Sequence, residues 1–408
     1  SFWDTETWMY PPLLGLFPDI GRSLLTYRVQ RIPEAKLKAL SYDPPYAGAM
    51  FPWESAASGL ETCPTWADTG QLEQHISGDI VSAAELYCRS TGDTSFLIGD
   101  GLALASSVAE FLVSRVRMDD EGVAHIDNVI PPDEYATGDD SVYTNYVSKS
   151  ALLFATLAAE TAEPGSADPM WNTVADALLI PFDDALGIHP EYVGYAGDQI
   201  KQADVVLLGY PLNMNMSTEV RAADLAYYEP LTDDDGPAMT WGMHAVGHLE
   251  LDGGVLSDKT ASLFNRSFAN VQAPWGVWTE TPTGGAVNFL TGAGGFLQTV
   301  LYGFPGLRFD EDLLRLANPT LIEGSSHMKV RGLAYRGARF DIAFGTEVAA
   351  KSGTNAELSV TLSSRSPGGS GFVVSNEETG EAVALAAEGD SASFDFAPDA
   401  SAYTIAEA

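Results

Sequence analysis

The hydrophobic period of this chain changes once, near residue 328, from 3.6 to 2. Before that point apolar residues recur every three or four positions between Gly/Pro-rich loops. The stretch 77–89 aligns Ile80, Ala83, Ala84, Tyr87 and Cys88 on one face, and Val147, Ala151, Phe154 and Ala158 make the next stripe. Further helices are expected over 7–16, 18–31, 34–41, 98–117, 169–183, 216–228, 238–251, 256–271 and 289–302, roughly ten or eleven in all, paired by short turns. A closed ring of helix pairs suits that pattern. After the change, 327–333 and 339–344 alternate, and 358–362, 371–374 and 391–396 follow at strand length between Ser/Gly/Asn turns. A small β-sandwich is expected there. The expected domains are therefore 1–322, mainly α, and 323–408.

Two cores are consistent with 408 residues, because single cores stop growing at roughly 250 to 300. The 8 Trp, 16 Tyr and 18 Phe suffice for them and leave rings for a cleft. Charge excludes some partners: 56 acidic against 21 basic residues give −35, which repels a phosphate backbone or an anionic membrane. Such a surface repels itself until salt screens it, so adaptation to high salt is expected, with the cytoplasm of a salt-accumulating cell as the working compartment and secretion left open. Two cysteines, Cys63 and Cys88, are too few for a disulfide framework. No run of about 18 apolar residues stands out as a bilayer span. The chain opens without Met on Phe2-Trp3-Asp4-Thr5-Glu6, which leads us to expect a processed or partial product.

Candidate chemistry concentrates in four long loops, 43–74, 119–141, 187–214 and 272–288, rich in Trp, Asp, Glu and Gly. In the second, Pro131-Pro132-Asp133-Glu134-Tyr135 presents a carboxylate on a stiff backbone that cannot become helical until about Ser141, which suits a general acid. In the fourth, Trp275-Gly276-Val277-Trp278-Thr279-Glu280 sets two indoles beside an acid, as a sugar subsite requires: rings stack on a pyranose and the acid handles a proton or a water. Lys201 and Gln202 offer donors and an acceptor to hydroxyls. Trp3, Asp4, Trp53, Glu54, Tyr135 and Trp278 complete the candidate substrate contacts. Each segment alone also has an ordinary reading: loop chemistry for Glu134, an exposed cap for Glu280, Lys201 balancing Asp198 and Asp204, a frayed terminus at Trp3-Asp4. His244 and His248 have metal-ligand spacing, but Ala245 breaks the zinc-protease pattern, and no metal or other cofactor is implied. The glycines of 292–295 lack the strand and the Lys of a nucleotide loop and suit close helix approach.

Six segments in order carry a resemblance: Phe2-Trp3-Asp4-Thr5-Glu6-Thr7-Trp8; Glu73-Gln74-His75-Ile76-Ser77-Gly78-Asp79-Ile80; Asp133-Glu134-Tyr135 with Tyr143-Thr144-Asn145; Lys201-Gln202-Ala203-Asp204; Gly236-Pro237-Ala238-Met239-Thr240-Trp241; and Asn288-Phe289-Leu290-Thr291-Gly292. Over about residues 2 to 345 the chain resembles glycoside hydrolase family 65, which holds acid trehalases, kojibiose hydrolases, protein glucosylgalactosylhydroxylysine glucosidases and several disaccharide phosphorylases. The resemblance implies an (α/α)6 barrel followed by a small β-sandwich. It matches Glu134 to the family's general acid, and gives Trp3, Asp4, Lys201 and Gln202 to the non-reducing glucose. Nothing in this sequence corresponds to the family's N-terminal β-sandwich.

Phosphorylases of the family hold phosphate with a Ser-rich stretch where this chain has Thr232-Asp233-Asp234-Asp235; aspartates there repel a phosphate dianion by on the order of 1 kcal/mol per contact near 4 Å. Hydrolysis is the expectation. Glu280, in the Val-Trp-Thr-Glu context of the hydrolases, supplies the base. In single displacement, protonated Glu134, its pKa raised by a partly dry pocket and a nearby carboxylate, donates to the glycosidic oxygen. Ionised Glu280 deprotonates water across C1, the carboxyls standing roughly 6.5 to 9.5 Å apart. The expected partner is a small α-linked glucoside of the kojibiose, α-1,2-glucosyl-galactose or trehalose type, with no nucleic acid and no membrane; a missing N-terminal domain and a homodimer are allowed assemblies. A phosphorylase and a catalytically silent carbohydrate-binding protein are the alternatives.

Overall fold

A computed structural model describes residues 1–346, 357–395 and 402–408. Two compact units emerge: Ser1–Tyr10 with Arg22–Cys88 and Asp93–Pro237, and Pro11–Gly21 with Arg89–Gly92 and Ala238–Ala408.

The first unit is built from helices. Its longest, Val142–Ala162, starts where Ser141 accepts the Thr144 N–H, and it buries Val147, Ala151, Phe154 and Ala158. Helix Leu102–Arg115 packs on it and buries Leu104, Ala105, Val108, Phe111 and Leu112. Counted from Thr94, that helical run has the length and hydropathy of a membrane span, a candidate the sequence expectation missed; half of its apolar window is buried, as in a core helix. The helix expected over 169–183 stops early, as Pro169–Ala177, because Pro181 lacks an N–H and biases Ile180 out of the helical region. Near the chain start, Arg28 forks onto Glu6, Nε to Oε1 at 2.7 Å and Nη2 to Oε2 at 2.8 Å, with both side chains buried. Removing either partner strands a buried charge, at about 3–5 kcal/mol.

In the second unit, helices Met239–Leu251, Asp258–Ser267 and Leu290–Gln298 pack together around Trp241, Leu249, Leu263, Phe264 and Phe304. Glycines set the approach distance: a Cβ on Gly295 would lie 2.9 Å from the Met239 backbone, and one on Gly292 2.8 Å from the Trp278 ring. Loop 272–288 holds a three-stranded sheet, Val271–Gln272, Val277–Thr281 and Gly284–Val287.

Beyond it lie two antiparallel sheets. One orders Ser391–Asp395, Glu357–Arg365, Ala338–Gly345 and His327–Tyr335; the other orders Ala382–Leu385, Phe372–Asn376, Ala402–Glu407, Leu313–Ala317 and Leu307–Phe309. Alternation drives both, since Phe340, Ile342 and Phe344 are buried on one face of their strand. Rings meet between the sheets, Phe340 with Phe372 at 5.0 Å and Phe394 with Tyr403 at 5.5 Å. Leu307–Phe309 and Leu313–Ala317 precede residue 323 yet pair into the second sheet. Phe396, part of one expected strand, lies outside the described residues. Cys63 and Cys88 are both free thiols.

Candidate active site

Glu134 sits in a loop anchored at both sides. Its Oε2 accepts from Lys201 Nζ at 2.7 Å, with both side chains about one-fifth exposed. Lys201 therefore faces Glu134. The backbone beneath is fastened by the preceding residue: Asp133 Oδ1 accepts the Lys201 N–H at 2.5 Å and the Tyr135 N–H at 3.2 Å, while the Asp133 N–H donates to Asp204 Oδ2 at 2.8 Å. Gln202 Nε2 donates to the Pro132 carbonyl at 2.7 Å. The two prolines expose a carbonyl without an N–H partner, and the 198–204 segment supplies the donor. Asp133, Gln202 and Asp204 are buried.

A second network runs in from helix Ile76–Thr91. Tyr143 donates to Asp79 Oδ1 at 2.8 Å, Asp79 Oδ2 meets His75 Nδ1 at 2.6 Å, and His75 Nε2 meets Glu73 Oε1 at 3.2 Å. The His75 ring is pinned edge-on between Trp3 at 4.9 Å and Tyr143 at 5.2 Å. Burial alone would depress the His75 imidazolium; Asp79 and Glu73 outweigh it and raise its pKa to about 10. Burial pushes Glu73 up to about 8 against the opposing His75, with the Glu134 charge adding to the rise.

The other candidates are placed as follows. Trp3 is 1% and Gln202 2% exposed, so both belong to a wall, and Asp4 is buried beside Trp3. Trp53 and Glu54 share a turn whose backbone N–H groups both donate to the Glu61 carboxylate, and the Trp53 ring lies 5.7 Å from Phe2. Tyr135 is exposed and donates its hydroxyl to Asp233 Oδ2 at 3.0 Å, bringing the first aspartate of the 233–235 run to the residue that follows Glu134.

Glu280 lies in the other unit, on strand Val277–Thr281, rather than before a flexible turn into a helix. Its Oε2 accepts the Ala286 N–H at 2.9 Å across the hairpin, and its carbonyl accepts the Ala238 N–H at 2.8 Å. Gly285, at φ +73, leaves the carboxylate its room, since a Cβ there would come within 2.7 Å of Oε2. Trp278 Nε1 donates to the Ser267 carbonyl at 3.0 Å and its ring leans on Phe296 at 5.6 Å. His244 is buried and stacks on Trp241 at 5.7 Å, a packing role for the histidine of metal-ligand spacing. The sequence placed Glu73 in a motif and Asp233 in an acidic run without a role in the Glu134 loop, and it did not single out Glu191; an acid two residues after His189 has no local signature, and only the fold brings it to the loop.

The model for the glycosyl hydrolase family 65 central catalytic domain matches residues 1–199. A Dictyostelium discoideum protein named protein-glucosylgalactosylhydroxylysine glucosidase is 48% identical over 349 residues, 84% of this chain and 48% of the relative. The chain belongs to glycosyl hydrolase family 65. A kojibiose hydrolase of Flavobacterium johnsoniae is 40% identical over 312 residues, 76% of this chain and 45% of the relative. A solved structure named "Putative kojibiose phosphorylase from human microbiome" superposes with a TM-score of 0.78 at 18% identity, over 97% of this chain and 60% of that one, which is a likeness of fold. The chain spans about half the length of the curated relatives it matches.

Proposed function

We propose that this family 65 chain carries the catalytic part of an inverting α-glucoside hydrolase, with Glu134 as general acid and Glu280 as general base. The observation that carries the choice of hydrolysis is the Tyr135–Asp233 hydrogen bond: it holds a carboxylate beside the Glu134 loop, where a phosphate dianion would meet charge of its own sign. Two relatives named as hydrolases, at 48% and 40% identity, support the same reading. Glu134 protonates the leaving oxygen, Lys201 orients its carboxyl, and Glu280 takes a proton from the attacking water. Trp3, Asp4, Trp53, Glu54, Tyr135, Lys201, Gln202 and Trp278 bind the glucose, with Trp3 and Gln202 acting from within the wall. The favoured substrates are kojibiose and α-1,2-glucosyl-galactose, with trehalose behind. The fold that belongs to this proposal is an (α/α)6 barrel over 1–322 and a β-sandwich over 323–408 that recruits the strands Leu307–Phe309 and Leu313–Ala317.

The test is proton NMR of the sugar first released from kojibiose and trehalose, with and without phosphate, by the native chain and by Glu280→Ala. Early β-glucose, independent of phosphate and lost in the variant, is expected. From trehalose, α-glucose with no equal share of the β anomer would mean retention, and glucose 1-phosphate would mean a phosphorylase; either outcome overturns the proposal.

A further inference from the structure

Beneath the Glu134 loop lie three carboxyls with no ion pair among the described residues. Asp133, Glu191 and Asp204 are 1%, 0% and 0% exposed, and the nearby Lys201 Nζ meets Glu134. Asp133 Oδ1 accepts two backbone N–H groups, and Asp204 Oδ2 accepts from Asp133 N. Neither oxygen of Glu191 has a donor among the described residues, although its carboxyl lies within hydrogen-bond reach of Asp133. Two carboxylates in contact are both acceptors, so the contact is a hydrogen bond only if one carries a proton. Three ionised carboxyls in a dry interior repel one another by far more than a proton costs near neutral pH.

We propose that Glu191 is a positioning residue for the Glu134 loop: it remains a carboxylic acid and donates its proton to Asp133, locking the loop to segment 198–204 through a shared-proton carboxyl cluster. The backbone geometry agrees, because the Glu191 carbonyl also accepts the Val142 N–H at 2.8 Å and the Val193 N–H reaches the Asp139 carbonyl at 3.0 Å, so residues 191–193 brace the far end of the same loop. The charged and titratable groups around the cluster include Asp198, Tyr192, Tyr195 and Tyr228 facing Glu191, Lys201 and Tyr135 facing Asp133, and His75 and Tyr143 facing Asp204. Burial, then Asp204 and Asp133, hold the Glu191 carboxyl far above the carboxylate range. With the folded pKa above the unfolded one, the stability this group contributes is complete below the unfolded value, near 4.3, and is lost as pH rises toward the folded value. The inference rests on the reading of Glu134 as the acid, but its stability arm does not.

Glu191→Gln keeps a neutral side chain and adds N–H donors toward Asp133. Urea unfolding from pH 5 to 9 should show the native unfolding constant rising by up to about tenfold per pH unit more steeply than that of the variant. On the proposed glucoside, Glu191→Gln should keep kcat close to native and extend the alkaline limb of the kcat profile. Glu191→Ala should lower kcat by about 10–100-fold with little change in KM, as displacement of a reacting group does. Equal slopes in the native chain and Glu191→Gln would mean that Glu191 is ionised and would overturn the proposal, as would a Gln variant as impaired as the Ala one. If no variant hydrolyses any glucoside, the unfolding slopes still decide the cluster, and the failure belongs to the reading of Glu134.

Discussion

The two proposed catalytic carboxylates are held in opposite ways. Glu134 stands on an irregular loop with no regular structure of its own, yet Lys201, Gln202 and Asp204 fasten its neighbours through three hydrogen bonds, and Lys201 adds an ion pair to Glu134 itself, in a mostly buried setting. Glu280 stands on a regular β-hairpin, yet that hairpin is half exposed, with Trp275 85% and Val287 79% accessible, and among the described residues its carboxylate accepts the Ala286 N–H alone. Regularity and rigidity have come apart here. A group that must give up a proton at one fixed oxygen gains from a rigid mount, whereas one that activates a water tolerates a looser one.

The comparison is broken most directly by removing the groups themselves. Glu134→Gln and Glu280→Ala should each lower kcat by about 10²–10⁴-fold, with Tm near native for Glu280→Ala; a Glu280 variant that melts much earlier would show that the hairpin is structural. Asp133→Ala comes next. It strands the Lys201 and Tyr135 N–H groups and should cost about 2–4 kcal/mol in urea unfolding together with activity, so an unchanged stability would refute the clamp. Gly285→Ala should act the other way, displacing Glu280 and lowering kcat while costing about 1 kcal/mol in stability, because the strained turn is exposed. The smallest effect is general: raising salt from 0.1 to 1 M shortens the screening length from about 10 to about 3 Å and should raise Tm by a few degrees, with both loops sharing the gain.

Periodicity made the helices legible, and the reason is physical: stripes such as Val147, Ala151, Phe154 and Ala158 must be buried wherever the helix packs. The strands Leu307–Phe309, Leu313–Ala317, Ala382–Leu385 and Ala402–Glu407 went unseen, being three to six residues long and specified by their neighbours rather than by themselves. The hairpin around Glu280 was hidden by its glycines, which read as a flexible turn. Of the site, Glu134 and Lys201 were legible as separate segments, and the fold joins them at 2.7 Å. Glu191 was not, because a buried acid that keeps its proton leaves no partner of opposite charge in the sequence to betray it.

The strand Ala402–Glu407 lies between Leu313–Ala317 and Phe372–Asn376, pairing with both. Along the chain it is made about ninety residues after Leu313–Ala317, which at about 5–20 residues per second is an interval of roughly 5 to 20 s. Throughout that interval Leu313–Ala317 faces an empty slot, and Phe372–Asn376 joins it over the last part, each a template for the wrong partner. Ribosome pausing between codons 317 and 402 would lengthen the exposure, so synthesis rate, as much as sequence, sets how much of this sheet reaches its native order.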